Sequence, residues 1–229
     1  ITATINFLED NFESSEDDET VVFVEGPMER NSALESMWKA GEDPPDTFVR
    51  DGRHARETSI VTVILAYQER DPAFDALVAR NDRNANGIPD QNLGEVYDYL
   101  FASPARGQTL EYLTEDRRNA RVVYAVKADE SDGAITDDTR AVAERYRMGA
   151  TATGSIVVFK AISDIIFESA IVSLALAIAG TAAFLLFIYW LLEGRATLGL
   201  ANLIPIVVTV AFVGGSMRYL GFSLNAFTA

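Results

Sequence analysis

Residues 170–192 read AIVSLALAIAGTAAFLLFIYWLL, and residues 198–220 read LGLANLIPIVVTVAFVGGSMRYL. Each run is 23 residues long, neither holds an acidic residue, and the one base is Arg218 near the end of the second. At ~1.5 Å per helical residue such a run reaches ~34 Å, enough to cross a hydrocarbon layer of ~30 Å. In lipid a helix satisfies its own backbone groups, so both runs read as membrane-spanning helices. The alternative is a pair of buried helices in a soluble core, but soluble helices seldom run so far without charge. Residues 193–197, EGRAT, join the two runs. So short a link makes a helical hairpin with both outer ends on one side of the membrane.

Working outward, charge divides the chain in two. Residues 1–168 carry 33 acidic and 17 basic side chains, whereas residues 169–229 carry one and two. A strongly acidic part beside an apolar one predicts a soluble domain, about residues 1–160, and a membrane domain, about 161–229. The acidic surface repels nucleic acid, which excludes DNA and RNA as partners. Only Lys39, Lys127 and Lys160 are lysine among the 19 bases. Many acids with few lysines fit a protein working in high salt, where self-repulsion is screened; an acidic domain of ordinary origin has the same composition. There is no cysteine, so disulfides and thiolate metal sites are excluded. The chain opens ITATINFLEDNF without an initiator Met and stops at NAFTA, as expected of an internal piece of a longer membrane protein.

In the soluble part, Ile1, Ile5, Leu8 and Phe12 have helical spacing, and residues 13–20 read as an acidic loop. Val21–Glu25 before Gly26–Pro27 predicts a buried strand, and Ser32–Ala40 a short helix with Leu34, Met37 and Trp38 on one face. Thr58–Tyr67 is ambiguous. Its β-branched residues suit a strand, while the Ser/Thr ahead of it and its continuation into QERD suit a helix, which we favour. Helices are also expected from Pro72, over Leu93–Phe101 and around Thr109–Leu113, forming a helical insert at about 58–113. Asn119–Ala128 reads as a strand, Thr136–Met148 as a helix entered by Thr136, Asp137 and Asp138, and Ala150–Gly154 as a second strand. Strand, helix, strand, with the earlier strand and helix, predicts a small α+β domain of split βαβ plan. From Val157 the chain turns helical and runs into the first span.

The inventory for catalysis is nearly empty. The single histidine, His54, lies in RDGRHARE and reads as an exposed, inert residue. The motifs G-x-S-x-G, H-E-x-x-H and G-x-x-x-x-G-K-[ST] are absent. No enzyme is therefore expected. One stretch has metal-site spacing: Asp82, Asn84, Asn86 and Asp90 place side-chain oxygens at positions 1, 3, 5 and 9, with Gly87 at 6 and the Ile88 carbonyl at 7. That is most of a calcium loop. It departs at position 12, where a bidentate Glu belongs and Leu93 stands; Glu95 lies two residues late. Two readings stay open, a weak Ca2+ site and an Asx-rich turn between helices. In the spans, Gly180 with Ser173 and Ala177 offers a small-residue face for helix contact, and Pro205 and Gly214–Gly215 loosen the second helix. No ionisable residue sits in mid-membrane, so no ion relay is visible in this stretch.

The stretch TGSIVVFKAISDIIFESAIVSLALA, with the spans and the closing Gly221, Asn225, Thr228 and Ala229, resembles the resistance-nodulation-division (RND) transporters. The nearest branch is the MMPL-type hydrophobe exporters, in a haloarchaeal form. The shared features are Gly154 after a strand, a helix entering the membrane, Arg195 in the short link, Pro205, and the G-x-x-x-N-x-x-[TS]-A close. The resemblance covers about residues 150–229 and the soluble part only by plan. It implies an extracytoplasmic porter domain with a ferredoxin-like βαβ core, followed by the second and third membrane helices as a transmembrane hairpin. It implies a multi-pass cell-membrane protein, with the domain outside and the link inside. It further implies export of hydrophobic or amphiphilic compounds, driven by an ion gradient, with the bilayer and that substrate as partners and a homo-oligomer left open. The family's relay acids would follow Ala229. The competing function is a membrane-anchored binding or assembly module without transport.

Overall fold

The computed structural model describes residues 18–219, so the helix expected over Ile1–Phe12 and the closing motif from Gly221 to Ala229 lie outside the described residues. Two compact units divide between Val158 and Phe159.

The first unit is built on a four-stranded antiparallel sheet of order β4-β5-β1-β6. Its strands are β1 (Asp18–Glu25), β4 (Glu57–Thr58), β5 (Asn119–Val126) and β6 (Gly149–Thr153). A two-stranded ribbon, β2 (Arg50–Asp51) and β3 (His54–Ala55), precedes β4. Residues 18–20, expected in a loop, open β1 instead. Thr20 is fully buried opposite Tyr124, so the strand gains a core position before the apolar run begins. Period-two alternation then builds one buried face. Val22 and Val24 on β1 stand opposite Val122 and Ala120 on β5, and all four are at most 2% exposed. Each fully buried valine contributes roughly 1.5–3 kcal/mol. The strand expected over Asn119–Ala128 is thus central, between β4 and β1.

Helix α1 (Ala33–Ala40) crosses from β1 toward the opposite side of β5, and α6 (Asp132–Ala143) crosses from β5 to β6 past β1. Leu34 and Met37 are buried on α1. Helix α6 starts four residues before its expected start. Ser131 is the N-cap, its hydroxyl accepting from the Ala134 N–H at 3.3 Å. Thr136 and Thr139, read as entry and body, are instead buried against the sheet, and the Thr139 hydroxyl donates to Thr20 at 3.1 Å. The local polar residues misled because a buried threonine and a capping threonine look alike in one dimension.

Between β4 and β5 lie four helices: α2 (Ile60–Gln68), α3 (Pro72–Asn81), α4 (Leu93–Ala102) and α5 (Arg106–Tyr112). The ambiguous segment is both things in turn. Thr58 ends β4, Ser59 caps, and Ile60 begins α2. The Ser59 hydroxyl accepts from the Val61 N–H at 3.2 Å while the Thr62 hydroxyl accepts from the Ser59 N–H at 2.9 Å, a reciprocal cap that overrides the strand preference of the branched residues. Asp71 caps α3 through the Ala73 and Phe74 N–H groups, with Pro72 in the first turn. The buried Tyr97 hydroxyl donates to the Met28 carbonyl at 3.0 Å, fastening the insert to the sheet side of the unit.

β6 passes into helix α7 (Ser155–Glu193) through Gly154 alone. Gly154 has φ +108°, and a Cβ there would stand 3.2 Å from the Val21 N, so glycine is needed for both the turn and the close strand. Val157, in the first turns of α7, is 6% exposed.

The second unit is helical. Helix α7 has 39 residues and is long and apolar enough to cross a membrane; none of its most apolar 18-residue window is buried. Gly194, in the left-handed region at φ +67°, ends the helix, and α8 (Thr197–Tyr219) follows. The apolar segment of α8, Thr197–Val213, is shorter. Close contact between α7 and α8 falls at Gly199, where a Cβ would lie 2.7 Å from the Leu185 carbonyl oxygen, and not at Gly180, where it would meet nothing. The Asn202 amide donates to the Tyr189 hydroxyl at 2.7 Å, a polar tie of the kind that joins helices in lipid.

Candidate functional site

The Asp82–Asp90 segment joins α3 to α4 as a closed loop. Its base is held by the Asn81 carbonyl, which accepts from the Asp90 and Gln91 N–H groups at 2.9 and 3.1 Å. Buried Ile88 and Pro89 anchor its middle in the core. Two Asx turns wind the rest, Asn84 Oδ1 accepting from Asn86 N–H at 3.1 Å and Asn86 Oδ1 from Ile88 N–H at 2.9 Å, and Asp82 Oδ2 closes the loop by accepting from Gly87 N–H at 2.7 Å. Asp90 Oδ1 accepts from Arg83 N–H at 3.3 Å. Gly87 has φ +86°, as the sharp turn at the sixth position demands. All five expected donors therefore belong to one wound loop.

The twelfth position cannot supply an acid, because Leu93 is fully buried in the core. Glu95 does not substitute for it. Two residues along a helix point ~200° apart, and Glu95 is exposed with no hydrogen bond to the loop. A residue missed in the sequence is present instead. Glu35 on α1 accepts from Asn84 Nδ2 at 2.5 Å and from Asn86 Nδ2 at 3.4 Å, across 49 and 51 residues of chain. One loop oxygen, Asp82 Oδ1, is buried without a hydrogen-bond partner. Leaving such an oxygen unpaired costs roughly 1–3 kcal/mol. No group of three or more His, Cys, Asp or Glu side chains stands as a metal cluster among the described residues, so any ion here must use the mixed set of carboxylates, carboxamides and a carbonyl.

A second polar cluster lies under the sheet edge. His54, expected to be exposed, is half-buried. Its ring stacks on Trp38 with centroids 3.8 Å apart, and Nε2 lies 2.6 Å from the Trp38 carbonyl. The β2–β3 ribbon and the end of α1 bring these together, which spacing alone could not show. Glu57 on β4 faces the same cluster. Its Oε1 accepts from the Ser59 hydroxyl at 3.0 Å, and its Oε2 is buried without a partner. Burial pushes the Glu57 carboxyl up to about 7, against the opposing pull of His54 and of the Ser59 and Tyr124 hydroxyls. The Tyr124 and Tyr146 hydroxyls are 2.7 Å apart, and burial raises both phenols far above their usual range. Gly41 closes the cluster: a Cβ there would stand 2.5 Å from His54 Cε1 and 2.9 Å from Glu57 Oε2. A buried acid of raised affinity for its proton can hold that proton near neutral pH.

Comparison with protein-family models, with curated proteins and with solved structures finds no match to this chain.

Proposed function

We propose that this chain is part of an integral membrane transporter of the RND type, in its MMPL-like branch, exporting hydrophobic or amphiphilic compounds with an ion gradient as the driving force. The observation that supports it most is the junction at Gly154. There the edge strand of a β4-β5-β1-β6 sheet runs directly into a 39-residue apolar helix. That strand order is the one expected of a ferredoxin-like split βαβ core. In this proposal the first unit is the extracytoplasmic porter domain, α2 to α5 form a cap inserted between β4 and β5, and α7 and α8 cross the membrane as a hairpin with its link inside. The chain's own residues then bind and guide substrate and catalyse nothing.

Two measurements test it. The chain has no cysteine, so single reporters are clean. Asp51→Cys should react with an impermeant reagent in intact cells, and Thr197→Cys only after permeabilisation; the reverse pattern overturns the orientation. Cells carrying the full gene should expel a lipophilic fluorescent dye faster than cells lacking it, and an ionophore should abolish the difference. Equal rates overturn transport and favour the membrane-anchored binding or assembly module.

A further inference from the structure

We propose that a basic cleft between helix α1 and the turn from α6 to β6 binds a phosphate group, free or carried on a small molecule. The site lies within the first unit and does not rest on the transport reading.

Residues 1–168 hold 33 acids against 17 bases, so a base in this part of the chain is expected to stand beside a carboxylate. Ser32, Ser36 and Lys39 recur at the spacing of one helical face. Leu34 and Met37, on another face of α1, are buried in the core. After α6 the chain reads Arg145, Tyr146, Arg147. Tyr146 is 7% exposed, and its hydroxyl lies 2.7 Å from that of Tyr124. This buried tyrosine fixes the turn and leaves the arginine on either side exposed. The helix face and the turn meet: Ser32, Ser36, Lys39, Arg145 and Arg147 line one cleft of about 160 Å³.

The donors of this cleft lack acceptors. Neither Lys39 nor Arg147 has an ion pair or a side-chain hydrogen bond among the described residues, although acids far outnumber bases. Arg145 is held by neutral groups, Nη1 donating to the Glu42 and Asp43 carbonyls at 2.9 and 3.3 Å. Its position is fixed while its charge stays available, since the neighbouring Asp43 carboxylate pairs with Arg53. The Ser32 and Ser36 hydroxyls have no hydrogen bond among the described residues, and Ser32, at φ 62°, leaves α1 without a side-chain cap. Glu35 is the one acid in the lining, and it accepts from the Asn84 and Asn86 amides of the insert. Three bases against that acid leave a charge of +2, which a phosphate dianion matches. Pockets that enclose a drug-sized molecule hold ~300–1,000 Å³, so this cleft takes the phosphate group itself and leaves any organic part in solvent. A carboxylate offers its oxygens in one plane. A tetrahedral phosphate offers them at once to the arginine forks of the turn and to the ammonium and hydroxyls of α1. Bridging the two elements, the bound anion stabilises the folded unit by linkage.

The test is phosphorus NMR of inorganic phosphate, and separately of glycerol 3-phosphate, titrated with the full chain in maltoside micelles at constant potassium chloride, with chain-free micelles as the blank. Saturable line broadening is expected, with Kd ~0.1–1 mM for a small anion held by a few charge-assisted hydrogen bonds in an open cleft. Lys39→Gln and Arg147→Gln should each weaken binding roughly fivefold. Arg70→Gln, an exposed base outside the cleft, should leave it unchanged. Far-UV circular dichroism checks that each variant is folded. The second readout is the melting temperature, which phosphate should raise in the unmutated chain and not in the Lys39→Gln, Arg147→Gln double variant. Acetate at the same concentration should neither raise it nor displace phosphate. Binding of inorganic phosphate supports the free ion as ligand; binding of the ester alone supports a phosphate carried on a small molecule. No saturable broadening by either and no melting shift up to 10 mM overturns the site. Unchanged binding in the double variant overturns the cleft as its place, and displacement by equimolar acetate overturns the assignment to phosphate.

Discussion

Glu57 should make the first unit lose stability as pH rises toward neutrality. Its carboxyl titrates near 4.5 when exposed and near 7 in the folded chain, with burial the principal cause. The folded state therefore keeps a proton that the unfolded state has already released between those values. An acid raised in this way contributes most below its unfolded value, and that contribution is lost as pH climbs through the folded one. At ~1.36 kcal/mol per unit, the shift corresponds to about 3 kcal/mol at most across the window. For a unit of this size that is roughly 6–12 °C in melting temperature. The cause is visible in the packing: Oε2 is buried with no hydrogen-bond partner, so the ionised form would lose its hydration there. Glu57→Gln keeps the neutral shape and removes the titration. The assay is thermal unfolding of the full chain in micelles, followed by near-ultraviolet circular dichroism from pH 4.5 to 8 at constant salt. The unmutated chain should lose stability relative to Glu57→Gln over that range. Parallel curves would refute the reasoning, because the buried carboxyl would then not be the group that titrates.

Gly41→Ala should destabilise by about 1–3 kcal/mol, since its methyl would overlap the stacked His54 ring and Glu57 Oε2; a melting temperature within a degree of the unmutated chain would show that the cluster yields. Val122→Asp should abolish folding of the unit, whereas Val123→Asp, on the half-buried face of β5, should leave it folded with a loss of about 1–2 kcal/mol. Equal behaviour of the two in circular dichroism would contradict the alternation of that strand.

The sequence by itself determined the features that are one-dimensional. An uncharged apolar run long enough to cross lipid announces itself by length, so the helix through Ala170–Leu192 was legible. So were the strand at Val21–Glu25, the strand at Asn119–Val126 and the turn at Gly154, where alternation, branched residues and a glycine carry the signal. The oxygen order from Asp82 to Asp90 was also plain, because it depends only on neighbours. What the tertiary structure alone decided are meetings between distant segments. Glu35 reaches Asn84 across 49 residues, and its own surroundings on α1 are those of any helical surface acid. His54 looked inert in its polar segment until the ribbon stacked it on Trp38. Glu57 sits among charged and polar neighbours in sequence, yet packing against β5 strips the water from its carboxylate. Burial and long-range pairing set the chemistry of these side chains, and neither is written in local spacing.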